Sequence, residues 1–110
     1  MIRVGFFREL AGARPDDPSL HDAPRVEHPD RERLVGYLAG GELHVCTSGV
    51  VRDVLRPSSA PVGTASSLTD HTHVWPSVLA YYVRTYGIAL PDEFIEHARS
   101  SGWSVARSTP

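Results

Sequence analysis

The stretch from Ser66 to Gly102, SSLTDHTHVWPSVLAYYVRTYGIALPDEFIEHARSSG, decides the fold of this chain. Two β-prone runs, Ser66–Thr69 and Thr72–Trp75, flank Asp70 and His71, the pattern of a hairpin with a two-residue loop. In that register Thr69 faces Thr72, Leu68 faces His73, Ser67 faces Val74 and Ser66 faces Trp75. Side chains alternate along a strand, so Leu68, His73 and Trp75 share the face expected to meet the core. Pro76 then reads as the start of a helix. Val78, Leu79, Tyr82, Val83 and Tyr86 repeat at helical spacing, and Gly87 supplies the stop. Pro91 starts a second helix with Asp92 and Glu93 at its positive end, Phe94, Ile95 and Ala98 inward, and Gly102 past its end. So short a connection predicts an αα-hairpin laid across a small antiparallel sheet.

Toward the N-terminus, Ile2, Val4 and Phe6 alternate with Arg3 and Gly5 and predict a first strand. Ala11 to His28, with Pro15, Pro18 and Pro24 among acidic residues, reads as a long surface loop. Pro29, Asp30 and Glu32 open a helix whose stripe is Leu34, Val35 and Leu38, with Tyr37 at its margin. Gly40 and Gly41 close it. Leu43 and Val45, extending to Thr47, predict a second strand, and Val50, Val51, Val54 and Leu55 a third, joined by a turn at 47–49. Residues 56–65 read as another loop. The expectation is an α+β fold: about five strands in a small antiparallel sheet, one helix after the first strand, and two C-terminal helices on one face. Residues 1–103 form a single globular domain and 104–110 a flexible tail.

A chain of 110 residues with 41% hydrophobic content can bury a core without disulfides, and its one cysteine, Cys46, permits no internal bridge. The longest apolar run, Val78–Val83, is far too short to span a bilayer, and the N-terminus lacks the pattern of a secretory signal. The expected location is the cytoplasm, with no membrane partner. All eleven basic residues are Arg, and the formal net charge is −2. They are scattered and have acidic neighbours, as in Asp30-Arg31-Glu32-Arg33, whereas nucleic-acid binding needs clustered cations. No nucleic-acid partner is expected.

Residues of catalytic or ligand type do not form a coherent set. Asp70, His71 and His73, joined by His44 or His97, have the chemistry of metal ligands, but zinc needs three or four donors converging at about 2 Å. Strand alternation separates His71 from His73, so packed or solvated histidines are expected, with no metal and no cofactor. Cys46, mid-strand, reads as a buried inert thiol. The serine pairs lack a nucleophile-elbow context. Asp92, Glu93 and Glu96 make an acidic helix face, and of the adjacent Tyr81 and Tyr82, Tyr81 is the one expected to point outward.

Leu68-Thr69-Asp70, Trp75-Pro76, Leu79, Tyr81-Tyr82-Val83, Tyr86, Leu90-Pro91 and Glu93-Phe94 together resemble a poorly characterised family of small actinobacterial proteins. Upstream, Tyr37-Leu38, Gly40-Gly41 and Asp53-Val54-Leu55 add to the likeness, which covers residues 29 to 103. His71 stands where the family favours Gly, and His73 where it favours an aromatic residue. Proteins of this appearance resemble immunity proteins, which neutralise a toxin made by the same or a neighbouring cell. The resemblance implies a non-enzymatic protein that binds a partner protein, itself monomeric or homodimeric. Its binding residues are expected at Asp70 and His71 on the hairpin tip, at Tyr81, and at Asp92, Glu93 and Glu96, with Asp16 and Asp17 a second possibility. The alternatives are an interaction module for another partner, and a small-ligand-binding domain or minor enzyme.

Overall fold

The computed structural model describes residues 1–105; of the expected tail, residues 106–110 lie outside the described residues. Among the described residues six strands and three α-helices follow in the order β1 (Ile2–Arg3), α1 (Arg31–Ala39), β2 (Glu42–Val45), β3 (Val50–Arg52), β4 (Pro61–Thr64), β5 (Ser67–Thr69), β6 (His73–Pro76), α2 (Leu79–Tyr86) and α3 (Asp92–Ser100), with a single 3-10 turn at Leu20–Asp22 before α1. The α+β class, the helix after the first strand and the two C-terminal helices are as expected. The strands divide into a four-stranded sheet, ordered β1-β6-β5-β2, and a separate β3-β4 ribbon. β1 lies parallel to β6, so the larger sheet is mixed.

The hairpin β5–β6 is present in a different register. Ser67 pairs with Pro76, Leu68 with Trp75 and Thr69 with Val74, a slip of two residues from the two-residue loop at Asp70-His71. The turn is recentred on His71 and Thr72 because Asp70 closes it with its side chain. Its Oδ1 accepts the amides of His73 at 2.6 Å and Thr72 at 2.9 Å, while its own amide donates to the His73 carbonyl at 3.2 Å. A carboxylate thus replaces a main-chain carbonyl in the turn. Strand periodicity is two, so the slip leaves each side chain on its expected face. It also adds Asp70 to the face of Leu68, His73 and Trp75.

That face meets the core. Trp75 is fully buried between Tyr37 of α1 and Phe94 of α3, with ring centroids 6.0 and 5.4 Å away. Its indole N–H donates to the Leu38 carbonyl at 3.0 Å. Tyr37, expected at the stripe's margin, is a core residue at 1% exposure. Gly41 permits this approach, since a Cβ there would stand 2.6 Å from Trp75 Cζ2 and 2.8 Å from Leu68 Cβ.

Other boundaries moved for tertiary reasons. Pro76 ends β6 and does not begin α2, because the following amide, of Ser77, still bonds across to Ser66. β4 falls within the expected loop at 56–65; only its pairing with β3 makes it a strand. The main helix contacts are α1 with α2 and α1 with α3, in place of the expected αα-hairpin. The connection after α2 turns at Gly87, at φ 69°, and runs beside residues 24–28: Val26 N–H donates to the Gly87 carbonyl at 2.7 Å and Ala89 N–H to Pro24 at 2.9 Å. The 11–28 segment is accordingly anchored, with Leu20 in the core at 1% exposure and Arg3 holding Asp17 through two 2.9 Å bonds.

Candidate functional site

The main polar cluster is built around Asp70. The turn that uses its Oδ1 aims Oδ2 inward, toward α1 and α3. Tyr37 Oη donates to Oδ2 at 2.5 Å, His73 Nδ1 lies 3.2 Å from it, and His97 Nε2, two turns along from Pro91 on α3, lies 3.4 Å from it. Asp70 and His73 are buried, whereas the His97 side chain is 37% exposed beside a recess of about 540 Å3 lined by Tyr37, Thr72 and Ser101 among others. The His73 ring meets Phe94 edge-on at 4.9 Å and the His97 ring at 4.9 Å, which fixes both imidazoles. Burial works to raise the Asp70 pKa, but the bonds from Tyr37, His73 and Thr72 outweigh it and hold the carboxyl below its ordinary value. Burial, then Asp70 itself, drives the Tyr37 phenol upward. The ligand atoms of Asp70, His73 and His97 lie within 4.8 Å of one another, so these residues can hold a metal ion.

A second buried carboxylate, Asp53, is fully enclosed. Its Oδ2 accepts from Tyr81 at 2.6 Å and Tyr86 at 2.5 Å, and its Oδ1 from the Leu55 amide at 2.8 Å. Burial favours the neutral acid, yet these donors together depress its pKa. Burial and the bond to Asp53 push Tyr86 up to about 12. The neighbouring Tyr82 hydroxyl accepts the Val54 amide at 3.0 Å. This arrangement ties α2 to the turn after β3.

The third feature is the sheet edge. β2 pairs with β5 on one side and terminates the larger sheet on the other. Leu43 and Val45 on it are 55% and 50% exposed, and Val50 at the start of β3 is 66% exposed. A register irregularity separates Leu43 from Val45. Cys46, expected to be buried, is exposed, because the chain leaves the sheet edge there.

The residues expected to bind a partner divide. Asp92, Glu93 and Glu96 are exposed on α3, with Glu96 bonded by Arg99, and Asp16 is exposed. His71 is exposed at the turn with its Nε2 3.0 Å from Glu42 Oε2. Three assignments are corrected. Asp70 is buried by its own turn and cannot present its carboxylate at the hairpin tip. Tyr81 is half-buried with its hydroxyl committed to Asp53, and Asp17 is held by Arg3 and the Arg14 amide. Sequence reasoning named His97 beside Asp70 and His73 but expected no convergence, which the structure corrects, and it missed the buried roles of Asp53 and Tyr37. For Asp53 a signal existed, a carboxylate set with Arg52 between the apolar pairs Val50-Val51 and Val54-Leu55. Tyr37 carries no such mark and His97 is offered on equal terms with His44, because α1 and α3 reach Asp70 only through the tertiary fold. No family model, curated protein or solved structure matches this chain.

Proposed function

We propose that this chain is a non-enzymatic binding protein of the cytoplasm, an immunity-type inhibitor that blocks a toxin domain made by the same or a neighbouring cell. It takes an extended segment of that partner as an added strand along the outer edge of β2. The observation that carries this reading is the exposure of Leu43 and Val45 on an edge strand. An edge strand offers a row of backbone donors and acceptors, and alternate side chains beside it give specificity. The occupant is a partner strand in preference to a second copy of this chain. The irregularity between Leu43 and Val45 would set bulge against bulge in a two-fold pairing, while a regular strand can lie against it. Exposed Asp92, Glu93 and Glu96 add a negative field that steers a basic partner.

The test is co-expression with the product of the neighbouring gene. Capture of a complex and protection from its toxicity are expected. Leu43→Lys, on an exposed position, should weaken that complex at least tenfold with an unchanged melting temperature. Charge reversal at Asp92 and Glu93 should slow association and reduce its salt dependence. Absence of both complex and protection defeats the immunity reading. A dimer of this chain that Leu43→Lys dissociates would assign the edge to a second copy.

A further inference from the structure

We propose that Asp70, His73 and His97 form a binding site for one divalent transition-metal ion of the zinc type, joining α3 to the β5–β6 hairpin. The inference is independent of the partner-binding reading. It rests first on the spacing of the donors. Two imidazole nitrogens, His73 Nδ1 and His97 Nε2, stand 3.2 and 3.4 Å from the same carboxylate oxygen, and the three residues each offer a ligand atom within 4.8 Å of the others. Ligands bound at about 2.0–2.1 Å in a tetrahedron are separated by about 3.3–3.4 Å. The same bond lengths in an octahedron give about 2.9–3.0 Å. The two edges at Asp70 Oδ2, 3.2 and 3.4 Å, are those of the tetrahedron.

The second ground is the accounting of hydrogen bonds at Asp70. An ionised carboxylate has about four acceptor sites. Asp70 accepts from three definite donors, the amides of Thr72 and His73 at Oδ1 and Tyr37 Oη at Oδ2, and two ring nitrogens, His73 Nδ1 and His97 Nε2, crowd the same Oδ2. Tyr37, at 2.5 Å, makes the strong bond to Oδ2. The two imidazoles stand beyond the range of about 2.7–2.9 Å of a charge-assisted N–H···O bond. Bound to a metal, each would turn a deprotonated nitrogen toward the ion, and the crowding on Oδ2 would vanish.

The surroundings have the form of a built site. Oδ1 is fixed by two main-chain amides, so the carboxylate cannot rotate away, and Tyr37 orients the ligating oxygen from outside the ligand set. Phe94 packs edge-on against the His73 ring, which in turn meets the His97 ring. A recess lined by Asp70, His97 and Thr72 opens beside two of the three ligands. Two imidazoles and one carboxylate suit zinc or cobalt better than magnesium or calcium, which prefer oxygen donors.

Metal-free, untagged full-length protein is titrated with ZnCl2, and with CoCl2 as a spectroscopic probe. One zinc per chain is expected after gel filtration, with a higher melting temperature. Cobalt should show the ligand-field bands of a tetrahedral site without a thiolate charge-transfer band. His97→Ala, altering a partly exposed side chain, should melt like the wild type without metal and bind zinc roughly 100-fold more weakly. His97→Gln serves as a second variant should the alanine form not fold. Tyr37→Phe, which removes a positioning group, should weaken binding roughly tenfold. Cys46→Ser should bind as the wild type does. Failure to retain zinc at micromolar concentration, undiminished affinity in folded His97 variants, or loss of binding in Cys46→Ser each overturns the proposal.

Discussion

Replacing Asp53 with Asn tests how the chain tolerates a fully buried carboxylate. The side chain accepts three hydrogen bonds, from Tyr81 at 2.6 Å, Tyr86 at 2.5 Å and the Leu55 amide at 2.8 Å. Bonds to a charged group contribute about 1.5–3 kcal/mol each and neutral ones about 0.5–1.5 kcal/mol. Asparagine fits the volume. Its amide oxygen can accept from Leu55 only if its NH2 faces the two tyrosines, whose hydroxyls must then turn from donors to acceptors. The opposite orientation sets NH2 against the Leu55 N–H. In the better arrangement three bonds each lose about 1 kcal/mol, so Asp53→Asn should cost about 3 kcal/mol in urea melts at pH 7 with an unchanged m-value. Acid provides the second limb. The folded-state pKa of Asp53 is depressed, so its contribution is present above the unfolded value of about 3.9 and is lost as pH falls through the folded value. The gap between wild type and Asp53→Asn should therefore hold from pH 7 to about 5 and close below about 3.9. Tyr86→Phe should cost less in the Asn background than in the wild type, because the two groups share one bond. A gap under about 1 kcal/mol at pH 7, or one that acid leaves unchanged, would refute the reasoning.

Three further outcomes are expected in equilibrium melts. Gly87→Ala should destabilise by more than about 2 kcal/mol: φ is 69°, and the new Cβ would stand 2.4 Å from the Val26 carbonyl oxygen that lies against this turn. Phe94→Ala should cost about 3–5 kcal/mol, since its ring is the common neighbour of Tyr37, His73 and Trp75; a loss below about 2 kcal/mol would show that α3 is not needed to close this core. His71→Gly should be neutral or stabilising by up to about 1 kcal/mol, as His71 holds a φ of 77° and its bond to Glu42 is exposed; clear destabilisation would reveal a tertiary role for the ring.

Local patterns carried much of the fold. Helical spacing marked the buried positions Leu34, Val35 and Leu38 of α1 and Leu79, Tyr82 and Val83 of α2, and the same is true of Phe94 and Ala98 in α3. Alternation placed Leu68, His73 and Trp75 on one face although the hairpin register was two residues off. Gly87 and Gly102 marked helix ends through a left-handed conformation that glycine adopts without strain. These features are readable because they depend on residues within a turn or two of each other.

What only the tertiary structure decided depends on groups distant in sequence. The β1–β6 parallel pair joins residues some seventy positions apart, and β4 is a strand only because β3 lies beside it. Asp70 looked like a hairpin-tip residue; its carboxylate turns inward because main-chain amides on the tip capture one oxygen and Tyr37 the other. The sequence offers His44 and His97 alike as companions of Asp70 and His73; Phe94, one turn before His97, docks on Trp75 and His73 and carries His97 to Asp70. Sequence by itself determined which residues seek the interior and where helices stop, since burial and backbone preference are properties of the residue and its near neighbours. The polar clusters were decided by packing, because a buried carboxylate is stable only where the whole fold delivers its donors.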